Sequence, residues 1–159
     1  MNGYVRIMMC FLLVHLVAAS WAIGQGDQAL YISPGGNDQT GDGTRTAPVA
    51  TFDRAVALLG DRTGSINLLP GEYSGQTLHL AFRPLAGNAS ILVQPAEGRN
   101  SARINYSGHG NFVFGISAAN VTLKDLRFTT SASVVILAEM SASHLNIRNC
   151  VFDQASSPD

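Results

Sequence analysis

Residues 120–128 (NVTLKDLRF) and 144–152 (HLNIRNCVF) align without a gap at a separation of 24 positions. A fixed period of this size marks a stacked repeat, in which each unit buries its apolar face only against its neighbours. Val121 and Leu123 alternate as strand residues, the parity breaks across Lys124 and Asp125, and Leu126 and Phe128 resume it one step out of phase. The second copy repeats the break. Leu145 and Ile147 answer Val121 and Leu123, Cys150 and Phe152 answer Leu126 and Phe128, and Asn149 replaces Asp125 at the bend. Asp and Asn tolerate the left-handed backbone that a one-residue bend needs. The pattern reads strand, corner, strand, with each inward side chain above its counterpart one rung below.

The same period carries residues 135–141 back onto 111–117, so Phe112, Phe114 and Ile116 are expected over Ile136, Ala138 and Met140. All six are apolar, and a large Phe114 over a small Ala138 suits an interior packed to crystal-like density. Val113, Gly115, Leu137 and Glu139 then face outward. Three short strands per rung, each paired with its successor in the next rung at about 4.8 Å, make a parallel β-helix. The expected fold class is all-β, with coils of about 24 residues.

The chain opens with a single cation, Arg6, ahead of an apolar run over residues 7–19 and small residues near positions 20–22. That is the layout of a secretory signal peptide, and the run is shorter than the ~20 residues that span a bilayer. The expected product is exported, extracellular or periplasmic, and free of the membrane once residues 1–22 are removed. Nine basic residues then face eleven acidic ones, since only Arg6 is lost. A weakly acidic chain with scattered charge has no electrostatic footprint for nucleic acid. Cys150 remains as the one cysteine of the mature chain, so no internal disulfide can form. Its inward position reads as a small buried hydrophobe.

A short strand near Leu30 precedes a loop rich in Gly, Asn, Asp and Thr over residues 34–46. Thr51 is placed as an N-cap, Phe52, Ala55, Val56 and Leu59 share one helical face, and Gly60 ends the helix. A stack of coils has an open apolar end that a terminal unit must cover, and this amphipathic helix is placed to do so. Residues 23–60 therefore form an N-terminal strand, loop and capping helix, and residues 61–159 an incomplete run of coils. Segments 66–69, 77–81, 90–94 and 102–106 read as strands of the earlier, less regular coils. Pro70-Gly71 and Gly87-Asn88 read as corners. Asn88, Asn105 and Asn120 stand in N-x-S/T triplets, which a eukaryotic secretory route can glycosylate.

The order YISPGGNDQTGDGT, then APVATFDRA, then INLLPGEY resembles the N-terminal opening of secreted right-handed parallel β-helix proteins of the pectate lyase-like superfamily. The resemblance spans residues 31–159. It implies a right-handed coil and an exported carbohydrate-active protein, most nearly a polysaccharide lyase acting on an acidic polysaccharide. The superfamily also holds hydrolases, epimerases and surface proteins without chemistry, and fold alone does not choose among them. A non-catalytic adhesive or structural β-helix is the competing expectation.

Elimination from a uronic polymer needs a cation beside the sugar carboxylate and a base for the adjacent proton. Asp38 and Asp42 lie in the densest run of acidic oxygens and are the candidate Ca²⁺ ligands, although turn chemistry explains the same residues. Lys124 and Arg148 share one outward position on successive rungs, a site for an anionic sugar or a solvated basic face. Glu139 is the third candidate substrate contact, with Asp153 as a possible neighbour. His79, His109 and His144 are dispersed without metal-ligand spacing. No residue is assigned catalysis. The sequence stops after a strand with no capping segment, so the expectation is a C-terminally truncated stack, inactive in isolation, whose last coil is left to pair with missing coils or another chain.

Overall fold

The computed structural model describes residues 27–74, 78–80, 89–106, 112–116, 120–130, 134–138 and 143–154. The expected signal peptide, His109 and Glu139 lie outside them. The described chain is predominantly β, with parallel sheets and one helix. In chain order the elements are β1 (Gln28–Ile32), α1 (Phe52–Leu59), β2 (Gly64–Leu68), β3 (Gly71–Ser74), β4 (Leu78–Leu80), β5 (Ile91–Pro95) and β6 (Ala102–Tyr106). They continue as β7 (Phe112–Ile116), β8 (Val121–Lys124), β9 (Arg127–Thr130), β10 (Val134–Ala138), β11 (Asn146–Arg148) and β12 (Val151–Gln154).

Every strand pair is parallel, and three sheets result: β1-β2-β5-β8-β11, β3-β6-β9-β12 and β4-β7-β10. From β2 onward the chain visits the five-, four- and three-stranded sheets in that cyclic order, an arrangement compatible with a β-helix. Residues from all three sheets enter one core cluster. In the five-stranded sheet the inward row is Leu30, Ile66, Val93, Leu123 and Ile147. In the four-stranded sheet it is Tyr73, Ile104, Phe128 and Phe152.

The two clean copies meet as their alignment requires. Leu123 pairs with Ile147 and Phe128 with Phe152, both 24 positions on. Asp125 and Asn149, the residues placed at the bend, have φ of 57° and 54°. Asn120 and His144 form a second stacked corner, with φ of 56° and 59°.

The three-stranded sheet departs from the expected register. Ile136 pairs with Phe114 and Val134 with Phe112, so the step here is 22 positions and the expected Phe112–Ile136 and Phe114–Ala138 stacks do not form. The segment before β10 is two residues shorter than that before β7, and the segment after it is two longer. An even slip keeps each side chain on its own face, which is why the apolar alternation survives.

The earlier circuits are longer. Val93 lies 30 positions before Leu123, and Tyr73 lies 31 before Ile104. The PGEY segment, expected as a turn, is strand β3 from Gly71 on, and Tyr73 is fully buried. Its hydroxyl lies 2.9 Å from the Ile32 carbonyl and 2.7 Å from that of Leu69, donating to one at a time. Burial pushes the phenol pKa well up, so it stays a donor.

Helix α1 forms where its signals stand. Thr51 Oγ1 accepts from the Arg54 N–H at 3.2 Å, and Gly60 ends the helix with φ of 60°. Phe52, Ala55 and Leu59 are buried. The Phe52 ring sits 6.4 Å from Tyr73 and 5.4 Å, edge-on, from Phe114. The helix packs on β1 and β4, the first strands of their sheets.

Candidate functional site: a cationic corner over the last two rungs

The outward row of the five-stranded sheet begins with Tyr31, Asn67 and Gln94. Buried Asn67 donates to the Leu30 carbonyl at 3.2 Å and accepts from Gln94 Nε2 at 3.1 Å. The row changes character where Lys124 and Arg148 continue it. They are direct register partners, as the repeat predicts. Two cations one strand spacing apart repel unless something separates them.

The corner supplies part of that separation. Lys124 Nζ leans 3.7 Å from Asp125 Oδ2, and Arg99 Nε approaches Asp125 Oδ1 at 3.9 Å. Arg99 Nη2 also lies 3.5 Å from the Asn149 carbonyl. One carboxylate thus meets two cations, Lys124 and Arg99, while Arg148 stands one strand from Lys124. Asp125 is the most shielded member of the ion pairs, at 21% side-chain exposure against 45% for Lys124 and 55% for Arg99. Arg148 is exposed. The excess positive charge faces solvent over two rungs, which suits an extended anion better than a single buried charge.

Arg99 was missed by the sequence reading. Between the inward residues Leu123 and Phe128, and again between Ile147 and Phe152, the corner takes five positions. Between Val93 and Ile104 it takes eleven, and Arg99 stands in the extra loop. Gly98 and Asn100, with φ of 90° and 63°, turn that loop. They were its one available signal.

The other candidates are placed elsewhere. Asp38 Oδ1 accepts from the Ala50 N–H at 2.7 Å and the Thr51 N–H at 3.1 Å, and Oδ2 accepts from Thr51 Oγ1 at 2.7 Å. Desolvation alone would raise the Asp38 pKa, but the Thr51 and Ala50 hydrogen bonds and the Arg54 charge outweigh it and hold it down. Asp42 accepts from the Thr44 N–H at 2.9 Å, and its pKa is lowered by its hydrogen bonds to Thr44. Asp38 secures the start of α1, and Asp42 closes a local turn. A Cβ at Gly41 would meet the carbonyl oxygens of Asn37 and Pro48, so this loop needs glycine for close packing. Among the described residues no group of three or more His, Cys, Asp or Glu gathers where it could hold a metal ion.

Asp153, weighed as a partner for Glu139, is bound instead by Arg127, whose Nε and Nη2 both lie 2.7 Å from Oδ2. His144 is an exposed corner residue. His79 stands opposite Gly115 in the three-stranded sheet. Cys150 Sγ is half-buried, 3.7 Å from the Leu123 carbonyl, and burial leads the influences that raise its thiol pKa. That agrees with a packing role. The amide of Asn105 donates to Glu72 at 2.7 Å, and that of Asn120 donates to the Ala89 carbonyl at 3.3 Å.

Comparison with protein-family models, curated proteins and solved structures found no match to this chain.

Proposed function

We propose that this chain is the capped N-terminal end of an exported, right-handed parallel β-helix of the pectate lyase-like kind, and that its cationic corner holds an acidic polysaccharide. The observation that carries the reading is the stacking of Lys124 on Arg148 in register, with Arg99 and Lys124 both drawn to the Asp125 carboxylate. Carboxylates along a uronic polymer recur on one face, and cations repeated along the coil axis can meet more than one of them. The capping helix, the cyclic order of three parallel sheets and the resemblance of residues 31–159 support the fold part of the proposal. Catalysis is assigned to no described residue, and the chain is expected to bind without cleaving.

A second reading, a non-catalytic adhesive or structural coil, is favoured by one feature of the surface. Several outward polar groups bond to each other, as in Glu72–Asn105, Arg127–Asp153 and Gln94–Asn67.

Titration with oligogalacturonate, followed by calorimetry, separates the two. Binding is expected to weaken about tenfold or more in the Lys124→Ala/Arg148→Ala double variant and to fall with added salt, as exposed charge pairs do. A neutral glucan of equal length should not bind. Equal affinity for both sugars would remove the acidic-ligand reading, and release of unsaturated uronic products would overturn the expectation of binding alone.

A further inference from the structure

The two aligned corners differ in one charge. Asp125 and Asn149 stand at the same bend of successive rungs with φ of 57° and 54°, so a carboxylate and a neutral amide make that bend equally well. The backbone fixes it, since the Asp125 N–H donates to the Arg148 carbonyl at 2.9 Å. The charge of Asp125 is therefore surplus to the corner. Its two oxygens are divided between Lys124 Nζ, 3.7 Å away, and Arg99 Nε, 3.9 Å away. Both separations exceed the about 2.7–2.9 Å of a charge-assisted hydrogen bond. Asp153 on the adjoining sheet gives the contrast, because it closes on Arg127 Nε and Nη2 at 2.7 Å. Asp125 attracts its cations without gripping them.

We infer that Asp125 is a resident counter-ion, an internal stand-in for a ligand carboxylate, and that the polysaccharide displaces it on binding. The inference rests on the acidic-polysaccharide reading of the corner proposed above. In the free protein the stacked cations repel, and one carboxylate beside them relieves that repulsion. Exposed Arg148 has no ion-pair partner among the described residues, so it is the cation open to an arriving polyanion. Once one carboxylate of the polymer is held there, a second on the same chain competes for Lys124 and Arg99 at a high effective concentration.

The geometry favours displacement. The side chains of Lys124 and Arg99 are about half exposed, so a carboxylate arriving from solvent can close to hydrogen-bond distance where Asp125 stands off. Losing the Asp125 contacts costs little, because exposed ion pairs are weak. Arg99 stays within reach throughout, its Nη2 lying 3.5 Å from the Asn149 carbonyl. Asp125 thus lowers the affinity of the corner while keeping its empty state from repelling itself.

Calorimetric titration of oligogalacturonate into the Asp125→Asn variant tests this, using the amide that the next corner already carries. The variant is expected to melt close to wild type and to bind the sugar about fivefold more tightly, a gain that a damaged corner would not produce. Asp53→Asn removes the same charge from an exposed position on α1, which packs on the first strands of the sheets, and should leave the affinity within about twofold of wild type. Equal or weaker binding by Asp125→Asn overturns the inference and makes Asp125 an orienting group for its cations. An equal gain in Asp53→Asn overturns it too, since net charge would then account for the effect. Failure of the underlying reading looks different: neither wild type nor Asp125→Asn would bind the sugar, and both proposals would fall together.

Discussion

Leu123 lies within the inward row, fully buried between Val93 and Ile147. A carboxylate there would have no hydrogen-bond partner and no water, because the backbone groups around it are committed to the sheet. Leu123→Asp is expected to cost about 3–5 kcal/mol, combining lost apolar burial with a buried unpaired charge. Thermal melting checks it, and an unchanged transition would refute the inward assignment. The same substitution at Ile147, half-exposed at the last rung, should cost far less. The contrast is informative because the two residues are equivalent in the repeat and differ only in what covers them. Such individual positions were readable from the chain: Val121, Leu123, Leu126 and Phe128 are all fully buried, as their alternation requires. Tyr73 was not, because the Pro-Gly ahead of it reads as a turn and conceals the strand that follows.

Helix α1 has eight residues, too short to persist on its own, so its place depends on its cap and on Phe52, Ala55 and Leu59 beneath it. Asp38 acts on the cap from 13 positions away by fixing Thr51, which in turn caps Arg54. Asp38→Ala would leave the Ala50 and Thr51 N–H groups without this acceptor and should destabilise by about 1–3 kcal/mol at neutral pH. The folded-state pKa of Asp38 is depressed, so its contribution is present above the unfolded carboxylate value near 4 and is lost as pH falls through the folded one. The melting temperatures of wild type and Asp38→Ala should therefore converge below about pH 4. A gap that persists in acid would mean that the charge of Asp38 is not what holds the cap. The helix and its ends were legible because caps and apolar spacing are local signals. The Asp38 contact was not, because it joins a loop to a helix through a path that no spacing rule describes. The register of β10 failed for a related reason: a two-residue change in one loop, compensated in the next, leaves the period intact on either side and shifts the strand between them.

A molecule built by stacking circuits distributes stability by position rather than by sequence, since each circuit is held by its neighbours. Strands β8 and β11 make the comparison possible. They derive from aligned copies of one motif, yet β8 lies between two strands and carries two fully buried side chains, whereas all three residues of β11 are exposed and, among the described residues, pair on one side. Local opening free energies range from near zero at frayed edges to the global value in the core. Amide hydrogen exchange in dilute solution should thus be slowest in β5 and β8 and fastest in β11 and β12, despite the repeat. Equal protection of β8 and β11 would mean that stability does not follow position in the stack.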